Sequence, residues 1–113
     1  MGIQNVAVVE MVNLARRAGA DMALVREVIG ASSGYSRIFE GEYPKAVDRD
    51  FAPGFAIDLM AKDLRIVRDL AEEVGTDLPM AQVALAVFEK ASRQGLGRQD
   101  VSGVLQLYEH GQA

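Results

Sequence analysis

Residues 53–75 read Pro53-Gly-Phe-Ala-Ile-Asp-Leu-Met-Ala-Lys-Asp-Leu-Arg-Ile-Val-Arg-Asp-Leu-Ala-Glu-Glu-Val-Gly75. After the Pro53-Gly54 turn, Ile57, Met60, Leu64, Val67, Ala71 and Val74 recur at spacings of three and four, and Leu59, Ile66 and Leu70 widen the stripe. This is the period of an amphipathic helix, and Gly75 offers the left-handed conformation that ends one. No stretch of useful length alternates as a strand would, and no internal repeat appears. The expected fold is therefore all-α, one domain of five or six helices.

Outward from that helix, Asp77 and Pro79 mark the expected start of the next. Its inner face is read as Met80, Val83, Ala84, Val87 and Phe88, before Gly95. Asp100 is placed as the cap of a last short helix carrying Val101, Val104, Leu105 and Tyr108. On the N-terminal side, residues 36–50 mix Ile38, Phe39, Tyr43 and Val47 with charges and Pro44, which predicts a short helix followed by an irregular surface segment. Asp21 caps an expected helix from Met22 to Ile29, with Leu24, Val25, Val28 and Ile29 facing inward and Gly30 ending it. Ala31-Ser-Ser-Gly-Tyr35 is a turn of small, hydroxylated residues.

The first helix, Ile3 to Ala18, opens apolar on nearly every side (Ile3, Val6, Ala7, Val8, Val9) before resolving into Met11, Leu14, Ala15 and Ala18. A helix apolar all round is normally buried by something else, so this face is expected to need a cover, a second copy of the chain among the possibilities. Arg16 and Arg17 suit the negative end of the helix dipole, and Gly19 the C-terminal cap.

Bulk properties narrow the function classes. The chain has 113 residues, a formal charge of -4 and a pI near 4.9, with basic residues interleaved among acidic ones. That balance speaks against nucleic acid or an anionic membrane as partner. No apolar run approaches the roughly 18 residues of a membrane span. Zero cysteines exclude disulfides, thiolate metal sites and cysteine nucleophiles, and are compatible with the expected cytoplasmic setting. The single histidine, His110, has no carboxylate cluster near it in sequence, so no metal site is expected.

Several positions admit two readings. Lys62 lies one turn after Asp58 and one turn before Arg65, so it is either an exposed ion-pair partner of Asp58 or a ligand-facing cation. Phe51 and Phe55 bracket Pro53-Gly54 and either plug the edge of the core or offer a ring to a planar ligand. The turn at residues 31–36 is a flexible connection or an anion cradle. Gly95-Leu-Gly97 is a helix-to-helix turn, since no strand precedes it to make a phosphate loop.

Taken together, Glu10-Met-Val-Asn-Leu-Ala15 with Gly19 and Asp21, Ser32-Ser-Gly34, Phe55-x-x-x-Leu59-x-x-Lys62-Asp-Leu64, Pro79 and Gly95-x-Gly97-x-x-Asp100-Val-Ser102 resemble the β-hydroxyacid dehydrogenases, which include 3-hydroxyisobutyrate dehydrogenase and tartronate semialdehyde reductase. The resemblance spans nearly the whole chain. It implies the helical C-terminal domain of those enzymes, a fold shared with 6-phosphogluconate dehydrogenase-like proteins, with residues 1–113 forming that domain and the N-terminal Rossmann domain absent.

From the resemblance, Lys62 inherits a cofactor-contacting role and Phe55 a place beside the nicotinamide end of the cleft. Asp63 and Ser33 fall toward the substrate cleft, and Asp58 and Asp63 orient Lys62 or cap local structure. The family's catalytic lysine falls upstream of Met1, and Asn5 is out of register with the motif asparagine, so no catalytic residue is carried over. The implied cofactor is NAD or NADP, held with the parent Rossmann domain. The implied substrate is a small hydroxyacid, and the expected assembly is a homo-oligomer, a dimer first. The chain alone is expected to be inactive. The alternative is a stand-alone helical module for self-association, or for acidic metabolites through Lys62, Arg65 and Arg68.

Overall fold

The helix that opens apolar on all sides is the axis of the molecule. In the computed structural model, which describes residues 1–111 and 113, α1 (Gly2–Arg17) is flanked by α3 (Arg37–Asp48), α5 (Pro79–Ala91) and α6 (Leu105–Glu109). Val9 and Val12 are fully buried, and Val6 and Val8 nearly so. Most of the cover that its sequence demands thus comes from within the chain, leaving Ile3 and Leu14 exposed. Gly2 lets α1 start against the α4 surface, because a Cβ there would sit 3.0 Å from Met60 Sδ and 3.1 Å from Leu64 Cδ1.

The α2 helix (Met22–Gly30) begins where Asp21 accepts from the Ala23 and Leu24 amides at 3.0 and 3.2 Å. Only part of its expected inner face is covered: Val25 and Ile29 pack on the core, whereas Leu24 and Val28 point outward.

Residues 36–50 depart from expectation. Instead of a short helix and an irregular segment, α3 runs unbroken from Arg37 to Asp48 with Pro44 inside it, capped by Ser36 Oγ on the Phe39 amide at 2.9 Å. Proline removes one helix hydrogen bond and crowds the preceding turn. Here burial outweighs that cost. Phe39, Tyr43 and Ala46 form a buried stripe, the two rings lie 4.9 Å apart, and Tyr43 Oη donates to the Met22 carbonyl at 2.6 Å.

The α4 helix (Ile57–Val74) packs along α5 and ends at Gly75, whose φ of 73° needs a residue without a Cβ. It buries Ile57, Met60, Ala61, Leu64 and Ala71, but Val67 and Val74 of the expected core stripe are exposed, as are Leu59, Ile66 and Leu70. Likewise α5 buries Ala84, Leu85, Val87, Phe88 and Ala91 while Met80 and Val83 face out. Asp77 makes no capping bond; Leu78 occupies the cap position and Pro79 the first helical one.

After α5, a wide helical turn at 92–96 reverses the chain through Gly95 (φ 86°). Asp100 then caps a 3-10 turn, Val101–Val104, that runs into α6. Among the described residues there are six α-helices and no strand, only an isolated antiparallel bridge between Ala56 and Asp100. Among the described residues no helix is long and apolar enough to cross a membrane.

Candidate functional site

Lys62 is the sixth residue of α4, on the side turned away from the core, with 59% of its side chain exposed. Its ion pair is with the neighbouring Asp63 at 3.2 Å, not with Asp58 as the helical spacing had allowed. Asp58 instead accepts from Ser92 Oγ at 2.6 Å and lies so close to Gly97 that a Cβ there would collide with its carboxylate. Since Lys62 and Asp63 are both about half exposed, the pair is weak and leaves the ammonium available. Leu59 and Ile66, one turn to either side, are exposed as well, so the cation rises from an apolar strip.

Two residues before α4, Phe55 is half-buried and packs on the core. Both of its backbone polar groups are occupied: its N–H donates to Asp100 Oδ1 at 3.0 Å, and its carbonyl accepts from the Val101 amide at 2.9 Å. The ring is therefore set by a fixed backbone. Of the other cations, Arg65 bonds Glu89 of α5 at 2.9 Å and Arg68 bonds Asp69 at 3.1 Å.

Ser33 sits apart from these residues, exposed on the turn between α2 and α3. Its neighbour Ser32 organises that turn, donating to the Ile29 carbonyl at 2.9 Å and accepting from the Gly34 amide at 3.2 Å. Beside it a groove of about 380 Å³ is lined by Gln4, Val8, Met11, Ile29, Gly34 and Phe39. A second cleft of about 450 Å³ lies between the end of α4 and the start of α5, lined by Leu64, Arg68, Ala71, Thr76, Leu78 and Gln82. Neither is lined by Lys62 or Phe55: the lysine is exposed on α4 and the Phe55 side chain is half-buried against the core. Among the described residues no group of three or more histidines and carboxylates is placed to hold a metal.

The sequence reading missed a buried polar cluster beneath the Phe55 turn. Asp100 is fully buried and Glu42 nearly so, and Lys45 reaches both, 3.1 Å from Glu42 Oε1 and 3.3 Å from Asp100 Oδ1. Asp100 also accepts from the Gly54 amide at 3.2 Å, from the Ser102 amide at 3.0 Å and from Ser102 Oγ at 2.6 Å. Burial alone would raise the Asp100 pKa, but the bonds from Ser102 and from the Phe55 amide outweigh it and hold the carboxyl well below the usual range.

Glu42 goes the other way, pushed up to about 7 by burial and then by the neighbouring Asp100 carboxylate. Its Oε2 has no donor facing it. With Glu42 protonated, the cluster holds a single carboxylate charge, on Asp100, against the Lys45 ammonium. The i,i+3 pair Glu42 and Lys45 was legible, but it lay in the segment expected to be irregular.

Known proteins align with this geometry. A family model described as the NAD-binding domain of NADP-dependent 3-hydroxyisobutyrate dehydrogenase matches residues 1–108. The L-threonate dehydrogenase of Escherichia coli K12 is 36% identical over 107 residues, covering 95% of this chain and 35% of that protein. The 2-(hydroxymethyl)glutarate dehydrogenase of Eubacterium barkeri is 36% identical over 110 residues, covering 96% and 36%. The crystal structure of 3-hydroxyisobutyrate dehydrogenase from Salmonella typhimurium superposes with a TM-score of 0.89 at 36% identity, over 94% of this chain and 37% of that one. The chain spans about a third of the length of the curated relatives it matches. On the family match over nearly its whole length, the chain belongs to the NAD-binding helical domain family of the 3-hydroxyisobutyrate dehydrogenases.

Proposed function

We propose that this chain is the helical domain of an NAD(P)-dependent hydroxyacid dehydrogenase, forming one wall of the cleft in which a separate Rossmann domain holds the dinucleotide. The observation that carries the reading is the Lys62 surface: an ammonium with only a weak partner, flanked by exposed Leu59 and Ile66, on the helix that follows the backbone-fixed Phe55 turn. Exposed apolar residues around a weakly paired cation fit a wall that faces another domain across a ligand.

These residues suit the cofactor. Lys62 offers a charge and hydrogen bonds to a ribose or phosphate from a rigid helix, and Phe55 offers an apolar edge to a planar ring. When bound, the nicotinamide supplies the hydride chemistry. Asp63, 3.2 Å from Lys62 Nζ, restrains the ammonium and adds negative charge beside it. Asp63 is assigned to the substrate side of the cleft. Ser33 is assigned to its rim, at the far turn. The named substrates of the relatives, L-threonate, 2-(hydroxymethyl)glutarate and 3-hydroxyisobutyrate, each combine a carboxylate with a hydroxyl, and a small hydroxyacid of that kind is the substrate class proposed here.

Self-association is proposed as a second property, with a dimer as the assembly and the cytoplasm as the setting. Exposed Ile3, Met80 and Val83 converge where α1 meets α5, around a shallow depression that they line with Val6, Ala7 and Ala84. That face suits a second copy.

The test is a calorimetric titration of NADH and of NADPH into the purified chain, with Lys62→Ala beside it. Saturable binding that the substitution weakens supports the reading. Binding that Lys62→Ala leaves unchanged overturns the role of Lys62, and no heat from either cofactor removes cofactor contact from the properties of this chain.

A further inference from the structure

We propose that Asp100 is the positioning residue of this half-site: its buried carboxylate fixes the Phe55 turn against the start of the Lys62 helix, with Lys45 completing its hydrogen bonds and Ser102 holding it in place. The proposal rests on the cofactor-facing roles of Phe55 and Lys62 given above.

The two carboxylate oxygens divide the work. Oδ1 accepts from the amides of Gly54 and Phe55 and from Lys45 Nζ, whereas Oδ2 accepts from the amide and hydroxyl of Ser102. One side chain thus joins the turn before α4 to the 3-10 turn after residue 100. The adjoining backbone runs in step: the Asp100 amide donates to the Phe51 carbonyl at 3.0 Å, and the Ile57 and Asp58 amides donate to the Gln99 and Gly97 carbonyls at 2.9 Å.

This matters because α4 has no side-chain cap of its own; its cap position is Ala56. The amides at its first turn would otherwise be orphaned, and residues 97–100 supply the acceptors. Asp100 sits where that capping strand meets the Phe55 turn. The approach is close enough to require glycine at position 54, since a Cβ there would lie 2.9 Å from Asp100 Oδ1 and 3.1 Å from Lys45 Nζ. None of these bonds adds to the apolar core. They act on the two places from which the ring and the lysine are presented.

Asp100→Asn is the discriminating change. Its amide group must turn an N–H₂ either toward the Ser102 amide or toward the amides of Gly54 and Phe55, so one side of the junction faces donor against donor. Gly54→Ala strains the same junction without altering the carboxylate, and Ser102→Ala removes a single donor. The experiment measures amide hydrogen exchange by NMR on the isotope-labelled chain, together with NADH affinity.

In Asp100→Asn and Gly54→Ala, the Gly54 and Phe55 amides are expected to lose about tenfold or more in protection while α1 and α5 keep theirs. NADH affinity falls about fivefold or more in the same variants, and Ser102→Ala gives a smaller change in the same direction. If Asp100→Asn does not fold, Gly54→Ala and Ser102→Ala carry the test. Unchanged exchange at Gly54 and Phe55 in a folded variant overturns the role of Asp100 and leaves the cofactor reading standing. Altered exchange with unchanged NADH affinity also overturns it. Altered exchange in a chain whose wild type binds no NADH sinks the cofactor reading instead, and the positioning role with it.

Discussion

Glu42 Oε1 lies 3.1 Å from Lys45 Nζ, one turn along the same helix, while its Oε2 is buried with no donor facing it. A carboxyl in that situation keeps a proton longer than one in water, consistent with its being pushed up to about 7.

The sign of the pH dependence follows. Glu42 binds its proton more tightly folded than unfolded, so its contribution is complete below the ordinary value of 4.5 and is lost as pH rises through about 7. Asp100 is depressed, and its contribution is lost as pH falls below the normal carboxylate range. Thermal melts are expected to show a midpoint that declines between about pH 4.5 and about pH 7. Glu42→Gln, which cannot ionise, is expected to flatten that decline. A wild-type midpoint independent of pH across this window refutes the raised pKa of Glu42.

Lys62→Ala is expected to leave folding stability within about 0.5 kcal/mol of wild type, because its partner Asp63 is exposed too. If the chain is grafted in place of the helical domain of the Salmonella relative, the same substitution is expected to lower activity on a hydroxyacid by about tenfold or more, through weaker cofactor contact. Steady-state kinetics with NADH or NADPH as the varied substrate check this, together with a melt of the isolated variant.

Tyr43→Phe is expected to cost about 1 kcal/mol, the net worth of the hydroxyl's bond to the Met22 carbonyl that pins α2 to α3. Phe88→Ala, at a fully buried position of α5, is expected to cost about 3 to 5 kcal/mol and serves as the scale for a true core loss. Urea denaturation of both variants measures the difference.

Val83→Lys adds a charge where α5 meets the exposed start of α1. Sedimentation equilibrium is expected to show the wild type associating with rising concentration and the variant monomeric, with unchanged circular dichroism. A wild type that is monomeric at every concentration removes this face as a site of self-association.

Much of the architecture is legible along the chain because its signals are local. The three-and-four repeat from Ile57, the cap at Asp21 and the stop at Gly75 each depend on neighbours within a turn or two. Which part of a wide apolar stripe is covered is a different matter. Val67, Val74, Met80, Val83, Leu24 and Val28 all continue an apolar face, yet packing in three dimensions leaves them outside.

The helix through Pro44 was hidden for the opposite reason: its support is Phe39 and Tyr43 in the core, which no local propensity reports. Lys62 and Phe55 were marked by the family motif alone, since neither periodicity nor charge pattern separates them from an ordinary exposed lysine and a core-edge ring. The Asp100 cluster was not readable, since it joins residues 42, 45, 54, 55, 100 and 102, and their meeting is a product of the fold.

The dependence of α4 on carbonyls from residues 97 and 99 also sets an order of events during synthesis. A ribosome that has released only the first four helices has made Lys62 and Phe55, but not the strand that finishes the helix bearing one and the turn bearing the other. The half-site is therefore assembled late, when the final stretch of polypeptide returns to it. A nascent chain arrested before Gly97 would carry every residue assigned to the cofactor, yet lack the acceptors that fix the Phe55 turn and the first turn of α4.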